Sequence, residues 1–556
     1  MKKIIATVLA LVLCLGLLSA CTGGGSQRIP YDYGDGFKPY SPEITISVAN
    51  PMADDLVAYL TEKGDNQENN AWNRLYREKL GIKIRYDYAF GMLGGYTEKL
   101  SAASMADNLP DFAYLGSGEF AYTLIKNMYE RDQLADLTDA IEKLASDDLK
   151  NAFEVAGDEI FYPATFNGKK FAIPQIIGSE NEAYTYYFLR KDWLDNLNLA
   201  IPSTFEELLS VCEAFANQDP DGNGEDDTYG LSFGGDFRET GSLFFAAYGA
   251  YPGQWIKSED GSKLVYGSYT ENTKRAIAQL HEMYKSGALN PAFNETGFDG
   301  LYTEFNTGKA GVFMGKVYYP FLLENLIQRN PDAEIVAVKA MAADGGEVKI
   351  MTPTNAAAYF VMNAKCNYPE AMVKMFNLYL ETSLNPESEE QYYELIADKD
   401  TGKNIWTMSP VKTDIPGANA RKANIVVEAL QNGTRDELLP HQVVLYDQVK
   451  SFEENPVWSL YGDNMLWCEG GTESTIQEYF DNEWFMPINF NGAKTESMEL
   501  YGDDLYSGEV GGFILMIMGE NPIDSFDTMY DAWKDIGGAD VEREINEWYS
   551  TVRAQN

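Results

Sequence analysis

Apolar and polar residues alternate in ITISVAN (44–50) and through most of IKIRYDYAF (82–90), and DFAYLGSG (111–118) reads as a third short strand entering a glycine-rich turn. A period of two predicts half-buried strands. Between these runs the period changes. ENNAWNRLYREKLG (68–81) and YTEKLSAASMADNLP (96–110) carry apolar residues at helical spacing, closed by Gly81 and Pro110. The resulting βαβαβ rhythm predicts a parallel sheet flanked by helices. Ligands of such sheets sit beyond the carboxyl ends of the strands. The glycine-rich turn Gly116–Glu119 is therefore a candidate ligand loop, with Glu119 as a hydrogen-bonding residue. Farther on, Pro202 sets up a helix start, and Ser203 with Glu206 has a capping-box pattern. That helix runs directly into DPDGNGEDDTYG (219–230).

The amino terminus follows another pattern. Two lysines precede an apolar run from Ile4 to Leu18, and small residues follow. The run is too short for a membrane span and has the order of an export signal, residues 1–20. Residues 21–43 are rich in Gly, Pro and Ser and lack apolar periodicity, which predicts a flexible tether. The apolar part of GGFILMIMG (511–519) is only six residues long and suits a buried strand or helix segment.

Composition narrows the classes. A chain of 556 residues exceeds one hydrophobic core, so at least two lobes are expected. The formal net charge is −42, and −44 once Lys2 and Lys3 leave with the signal. Such a field repels phosphate backbones and argues against nucleic acid as a partner. It also favours a neutral ligand over an anionic one unless a local basic pocket intervenes. Beyond Cys14 and Cys21, the cysteines Cys212, Cys366 and Cys468 are widely spaced and give no disulfide framework. Two histidines, His281 and His441, provide no zinc cluster. No P-loop or distinctive carboxylate pair points to catalysis.

The acidic loop places oxygen-bearing residues at alternate positions: Asp219, Asp221, Asn223, Glu225 and Asp227. Hard cations such as calcium take six to eight oxygens from loops of this spacing, with glycine at the sixth position, here Gly224. The twelfth position holds Gly230 where a calcium sensor has a bidentate Glu. A structural clip, a sensor and a plain acidic turn are the three readings. Without that Glu a sensor's opening motion has no lever, which favours the clip.

Two resemblances add to this. Leu18-Ser19-Ala20-Cys21 resembles the lipobox of bacterial lipoproteins, which implies lipidation of Cys21. NGKKFAIP, YYFLRKDWLDNLNL, IPSTFEELL, SYTENTKRAIAQLHEMYKSGALNPAF, FNTGKAGVFMGKVYY and AYFVMNAKCNYPEAMVKMFNLYL follow in an order similar to extracellular solute-binding proteins of ABC importers. NFNGAKTESM and IGGADVEREINEWYSTV extend the match to the C-terminus. The resemblance is to the LipO-like and alginate-oligosaccharide-binding branch. It implies an α/β, two-lobed periplasmic-binding-protein-like fold of the maltose-binding type (class II), with hinge crossings near 177–184, 312–316 and 356–361. Lobe one is then 44–180 and 315–356, and lobe two is 181–314 and 357–556 with a C-terminal extension. The branch also implies a calcium loop of the form D-P-x-G-N-G-x-x-D. Asp219, Asp221, Asn223 and Asp227 match it by side chain, and Glu225 offers its carbonyl. Thr228 stands where the branch has a further carboxylate, so the sixth ligand is left to water, Thr228 or a distant acid.

A sugar site needs aromatic plates and hydrogen-bonding groups. Trp255 lies where the branch often has a stacking aromatic. Lys316 ends a proposed crossing and Tyr318 follows it, Asn181 and Glu182 lie within another, and Trp406 and Trp458 lie in loop-like sequence. Trp72 and Trp193 sit among apolar neighbours and are assigned to packing. The expectation is a lipid-anchored monomer on the outer face of the cytoplasmic membrane. It carries a neutral oligosaccharide to ABC permease subunits by hinge closure. Alternatives are a peptide or other small-molecule ligand, or a glycan-binding or sensory lipoprotein without transport.

Overall fold

The computed structural model describes residues 35–556 apart from 89–94, 179, 181, 182, 402 and 556. The three predicted strands form at Ile44–Ala49, Ile82–Tyr88 and Phe112–Gly116. They pair in parallel, with Ile44 opposite Ile82, Ile46 opposite Ile84 and Val48 opposite Phe112. Strands Ala356–Met362 and Ala172–Ile176 complete a five-stranded sheet in antiparallel pairing. The helix Ala71–Leu80 ends where Gly81 turns left-handed at φ 65°. The helix Tyr96–Met105 stops before Pro110, because the chain already turns at Asp107 (φ 52°). The second capping box is shifted by one residue from expectation. Thr204 caps Glu207 N–H, while the Glu207 carboxylate accepts from Ser203 and Thr204.

A second sheet has the order 335–339, 186–190, 310–315, 229–232. The two sheets nucleate two separate apolar cores, and these revise the predicted lobe boundaries. Strand Ile335–Lys339 pairs along Tyr186–Arg190, so 315–339 belongs with the second sheet. Residues 356–415 belong with the first. Helix Ala371–Leu384 packs in the first core, and Trp72 Nε1 donates to the Leu395 carbonyl at 2.8 Å. The stretches 312–316 and 356–361 are not crossings over most of their length. Val312–Gly315 and Ala356–Val361 are inner strands with partners on both sides, and paired backbone cannot leave its sheet. The chain passes between the sheets after Ile176, before Ala356, and again after Ile415.

The C-terminal part is mainly helical. The 511–519 run lies largely in the helix Glu496–Ile517, with Phe513, Met516 and Ile517 buried in the second core. A third apolar cluster joins Trp255 and Leu264 to Leu505, Trp533 and Ile545. Strand Phe485–Pro487 pairs with Ile350–Thr352. Among the described residues no helix is long and apolar enough to cross a membrane.

Candidate functional site

A cavity of about 540 Å³ opens between the two sheets, lined from both lobes. Lobe one supplies Ser117 from the predicted ligand loop, Ile177, and Ala357 from the start of an antiparallel strand. Lobe two supplies Tyr184, Arg238, Glu239, Tyr251, Gln254 and Lys316, and Thr352 and Thr354 lie between. Lys316 follows the end of the strand Ala310–Gly315. Its ammonium lies 3.8 Å from Glu239 Oε1 and 5.6 Å from the Tyr184 ring centroid. Tyr319 donates to the Tyr184 hydroxyl at 3.4 Å. Burial pushes the Tyr184 phenol well up, so it stays neutral and can both donate and accept. Tyr251 donates to the Lys349 carbonyl at 3.0 Å, which fixes its ring at the cavity wall.

The cleft continues along lobe one. A neighbouring groove of about 240 Å³ shares Ser117 and is lined by Pro51, Tyr96, Tyr114 and Phe120. Residues 411–415 run past the strand ends: Asn50 donates to the Pro410 carbonyl, and Asp414 N–H to Ile176. Val411, Thr413 and Ile415 are buried, Lys412 is half-buried and Asp414 is exposed. Lys412 approaches the Tyr114 ring at 5.9 Å, and burial lowers its ammonium to about 8.

The last crossing carries buried acid. Gly417 N–H donates to Glu180 Oε1 at 2.9 Å. Among the described residues, the other oxygen of Glu180 and one oxygen of Glu473 are buried without a hydrogen-bond partner. Burial first, then the nearby Glu180 charge, pushes Glu473 up to about 7. A raised carboxyl binds its proton more tightly when folded. Its stabilising contribution is complete below the unfolded value near about 4.3 and is lost as pH rises through 7. The melting temperature should therefore fall between pH 5 and pH 8, and Glu473→Gln should flatten that slope. An identical slope in the variant would show that Glu473 stays ionised.

The other predicted site residues are dispersed. Trp255 is only 7% exposed and packs 4.9 Å from Tyr266 within the C-terminal aromatic cluster. Its neighbour Gln254 faces the cleft instead, because the strand Trp255–Lys257 turns the indole inward. Trp255→Ala should lower the melting temperature and leave ligand affinity unchanged in a binding titration. A large affinity loss without destabilisation would return Trp255 to the site. Tyr318 is 37% exposed, edge-on to Tyr319 at 5.2 Å, and outside the cavity lining. Glu119 pairs with Lys494 at 3.0 Å, tying lobe one to the C-terminal part. Trp406 packs at the edge of the lobe-one core, and Trp458 is 43% exposed on the surface, both away from the cavity. Lys316 is the predicted residue that lines it. Asn181, Glu182 and Cys21 lie outside the described residues.

Tyr184 fell within a predicted crossing, and Tyr251 and Gln254 within the turn that carried Trp255. Arg238 and Glu239 carried no signal, since FGGDFRET reads as an ordinary polar turn.

In the acidic loop, Asn223 N–H donates to Asp219 and Asp221 at 3.1 and 3.3 Å. Its side-chain amide donates to Asp221 at 3.0 Å and Asp227 at 3.2 Å. Four of the expected side chains thus converge, with Asn223 nitrogen donors at the position a cation would take. Among the described residues no three acidic, His or Cys side chains stand at metal-holding separation. The donor chemistry nevertheless suits a hard cation once the Asn223 amide presents its oxygen. Lys309 pairs with the outer oxygen of Asp227. Thr228 is engaged with the Phe215 carbonyl at 2.8 Å.

Among known proteins, the chain is similar to the polygalacturonan/rhamnogalacturonan-binding protein YtcQ of Bacillus subtilis, 28% identical over 220 residues. That match spans 40% of this chain and 42% of the relative, less than half of either. Lipoprotein LipO of Bacillus subtilis is 21% identical over 419 residues, covering 73% of this chain and 76% of that one. The structure of a solute-binding protein from Bifidobacterium longum infantis, described as HMO-binding and ABC-transporter-associated, superposes with a TM-score of 0.58. It shares 15% identity over 91% of this chain and 98% of its own. The fold is thus that of two-domain solute-binding proteins. The sequence pattern described as bacterial extracellular solute-binding protein matches residues 73–399, more than half of the chain, and the protein belongs to that family.

Proposed function

We propose that this protein captures an oligosaccharide between its lobes and delivers it to an ABC permease. The observation that carries the proposal is the cavity of about 540 Å³ at the interlobe passages, walled by tyrosines, threonines, an amide and two cations. Tyrosines offer flat apolar faces to sugar C–H surfaces, and the polar groups match hydroxyl edges. The proposed cycle is an open form, ligand entry, and closure about the passages after Ile176, before Ala356 and after Ile415. The signal, Cys21 and the similarity to a lipoprotein support a lipid anchor on the outer face of the membrane, and the protein is proposed to act as a monomer. The family and the superposed solute-binding structure support binding as the role. We further propose that Asp219, Asp221, Asn223, Asp227 and the Glu225 carbonyl hold a structural calcium ion.

The test is a thermal-shift screen of residues 22–556 in calcium buffer against neutral and uronic-acid oligosaccharides. A ligand selective for the folded state raises the melting temperature by mass action, about 2.7 kcal/mol at 100 times its dissociation constant. A shift confined to one glycan class supports the reading. No shift with any carbohydrate, together with a shift by peptides, would replace it with peptide uptake.

A further inference from the structure

The neutral-ligand expectation rested on the charge of the whole chain. The cleft has a different local balance: among the described residues that line it, Arg238 and Lys316 stand against the carboxylate of Glu239. Long-range repulsion is screened over about 8 Å at physiological salt, so residues in contact with the ligand decide its charge class.

Arg238 is held in an unusual way. Its guanidinium lies 3.5 Å from the centroid of Tyr506, a residue of the C-terminal helix Glu496–Ile517. Gly253 confines the same side chain from the cavity wall. A Cβ added there would stand 2.1 Å from Arg238 Nε, and the left-handed φ of 72° also demands glycine. Gly253 is fixed in turn, since its N–H donates to Ser268 Oγ at 2.6 Å and Ser268 donates to Glu509 at 2.7 Å. Glu509 is buried, and its second oxygen has no partner. Tyr506 donates to Asp236 at 3.1 Å, which fixes the stacking ring. Among the described residues no acceptor takes a hydrogen bond from the guanidinium, and no carboxylate forms an ion pair with it. Of the nearby carboxylates, Glu509 acts on the guanidinium through its charge, Asp236 Oδ1 accepts from Tyr506, and Glu239 lies 3.8 Å from Lys316.

A guanidinium confined by a ring and by backbone keeps its planar row of donors available at the cavity. That row matches a carboxylate in two-point geometry, which an ammonium cannot reproduce. We infer that Arg238 is the specificity-determining residue of the cleft, a pre-oriented fork for the carboxylate of an acidic sugar, with Tyr506 and Glu509 as its positioning residues. The inference rests on the oligosaccharide reading above. It also gives the C-terminal helix a part in the site, because that helix supplies the plate behind the fork.

The test is calorimetric titration with oligogalacturonides, oligoguluronates and oligomannuronates, each beside its carboxyl-reduced neutral counterpart. The wild type should prefer an acidic member. Arg238→Gln should weaken that ligand by about 10- to 100-fold and the neutral counterpart far less. Arg238→Lys should keep only part of the preference. Tyr506→Leu should lower the acid-to-neutral ratio, while Tyr506→Phe restores it, a pattern that loss of folding alone does not produce. Wild-type preference for a neutral sugar, or equal losses for both members of a pair in Arg238→Gln, would overturn the inference and leave the oligosaccharide reading standing. Failure of every carbohydrate to bind would overturn both.

Discussion

Replacing Trp72 by Ala lowers the stability of lobe one by about 3–5 kcal/mol, the usual cost of removing a fully buried indole. Trp72 is completely buried, 4.9 Å from Tyr379 and hydrogen-bonded to Leu395. It therefore joins the helix Ala71–Leu80 to a segment more than 300 residues away, which the sequence assigned to lobe two. Hydrogen exchange should show lost protection both in Ile44–Ala49 and in Ala371–Leu384. Loss confined to 71–80 would mean that 371–395 is held by something else. Trp72→Phe should recover part of the stability while leaving the hydrogen bond to Leu395 unmade.

Calcium removal is the second large effect. If the loop 219–227 takes calcium as proposed, chelation should lower stability by about 3 kcal/mol at calcium concentrations near 100 times the dissociation constant. Carboxylates of Asp219, Asp221 and Asp227 would otherwise repel one another. In the structure that repulsion is relieved by Asn223 and Lys309, which donate to them. Burial, with Asp219 and Asp227 nearby, raises Asp221, whereas Lys309 lowers Asp227. Asp221→Ala should abolish the calcium-dependent shift. A melting temperature unmoved by either chelator or variant would make the loop an acidic turn satisfied by its own amides.

Much of lobe one was legible because its strands are short and are separated by helices with stop signals at Gly81 and Pro110, although the second helix ends earlier, where the chain turns at Asp107. The lobe boundaries were less legible. AYFVMNAKCN and AGVFMGK are continuous apolar runs, and such runs serve equally for an inner strand and for a buried crossing. Which sheet each joins depends on partners hundreds of residues away: Phe360 opposite Tyr114, and Phe313 opposite Phe188. The cleft was partly legible. Ser117 followed from strand polarity, and Lys316 from its place at the end of a proposed crossing. Trp255 was misplaced by one position in a period-two segment, which turned the tryptophan into the core and Gln254 into the cleft. Arg238 could not be read at all, because its orientation comes from Tyr506, 268 residues downstream. Trp458 and Trp406 illustrate the opposite failure, since loop-like sequence around an aromatic does not say which surface the loop occupies.

The central claim is that the ligand lies between the lobes. A crystal structure of residues 22–556 with the best glycan from the thermal screen tests it most directly. The account predicts sugar density between Ser117 of lobe one and Tyr184, Arg238 and Lys316 of lobe two. Density seated instead in the aromatic pocket between Tyr122, Tyr162 and Trp548 would contradict it.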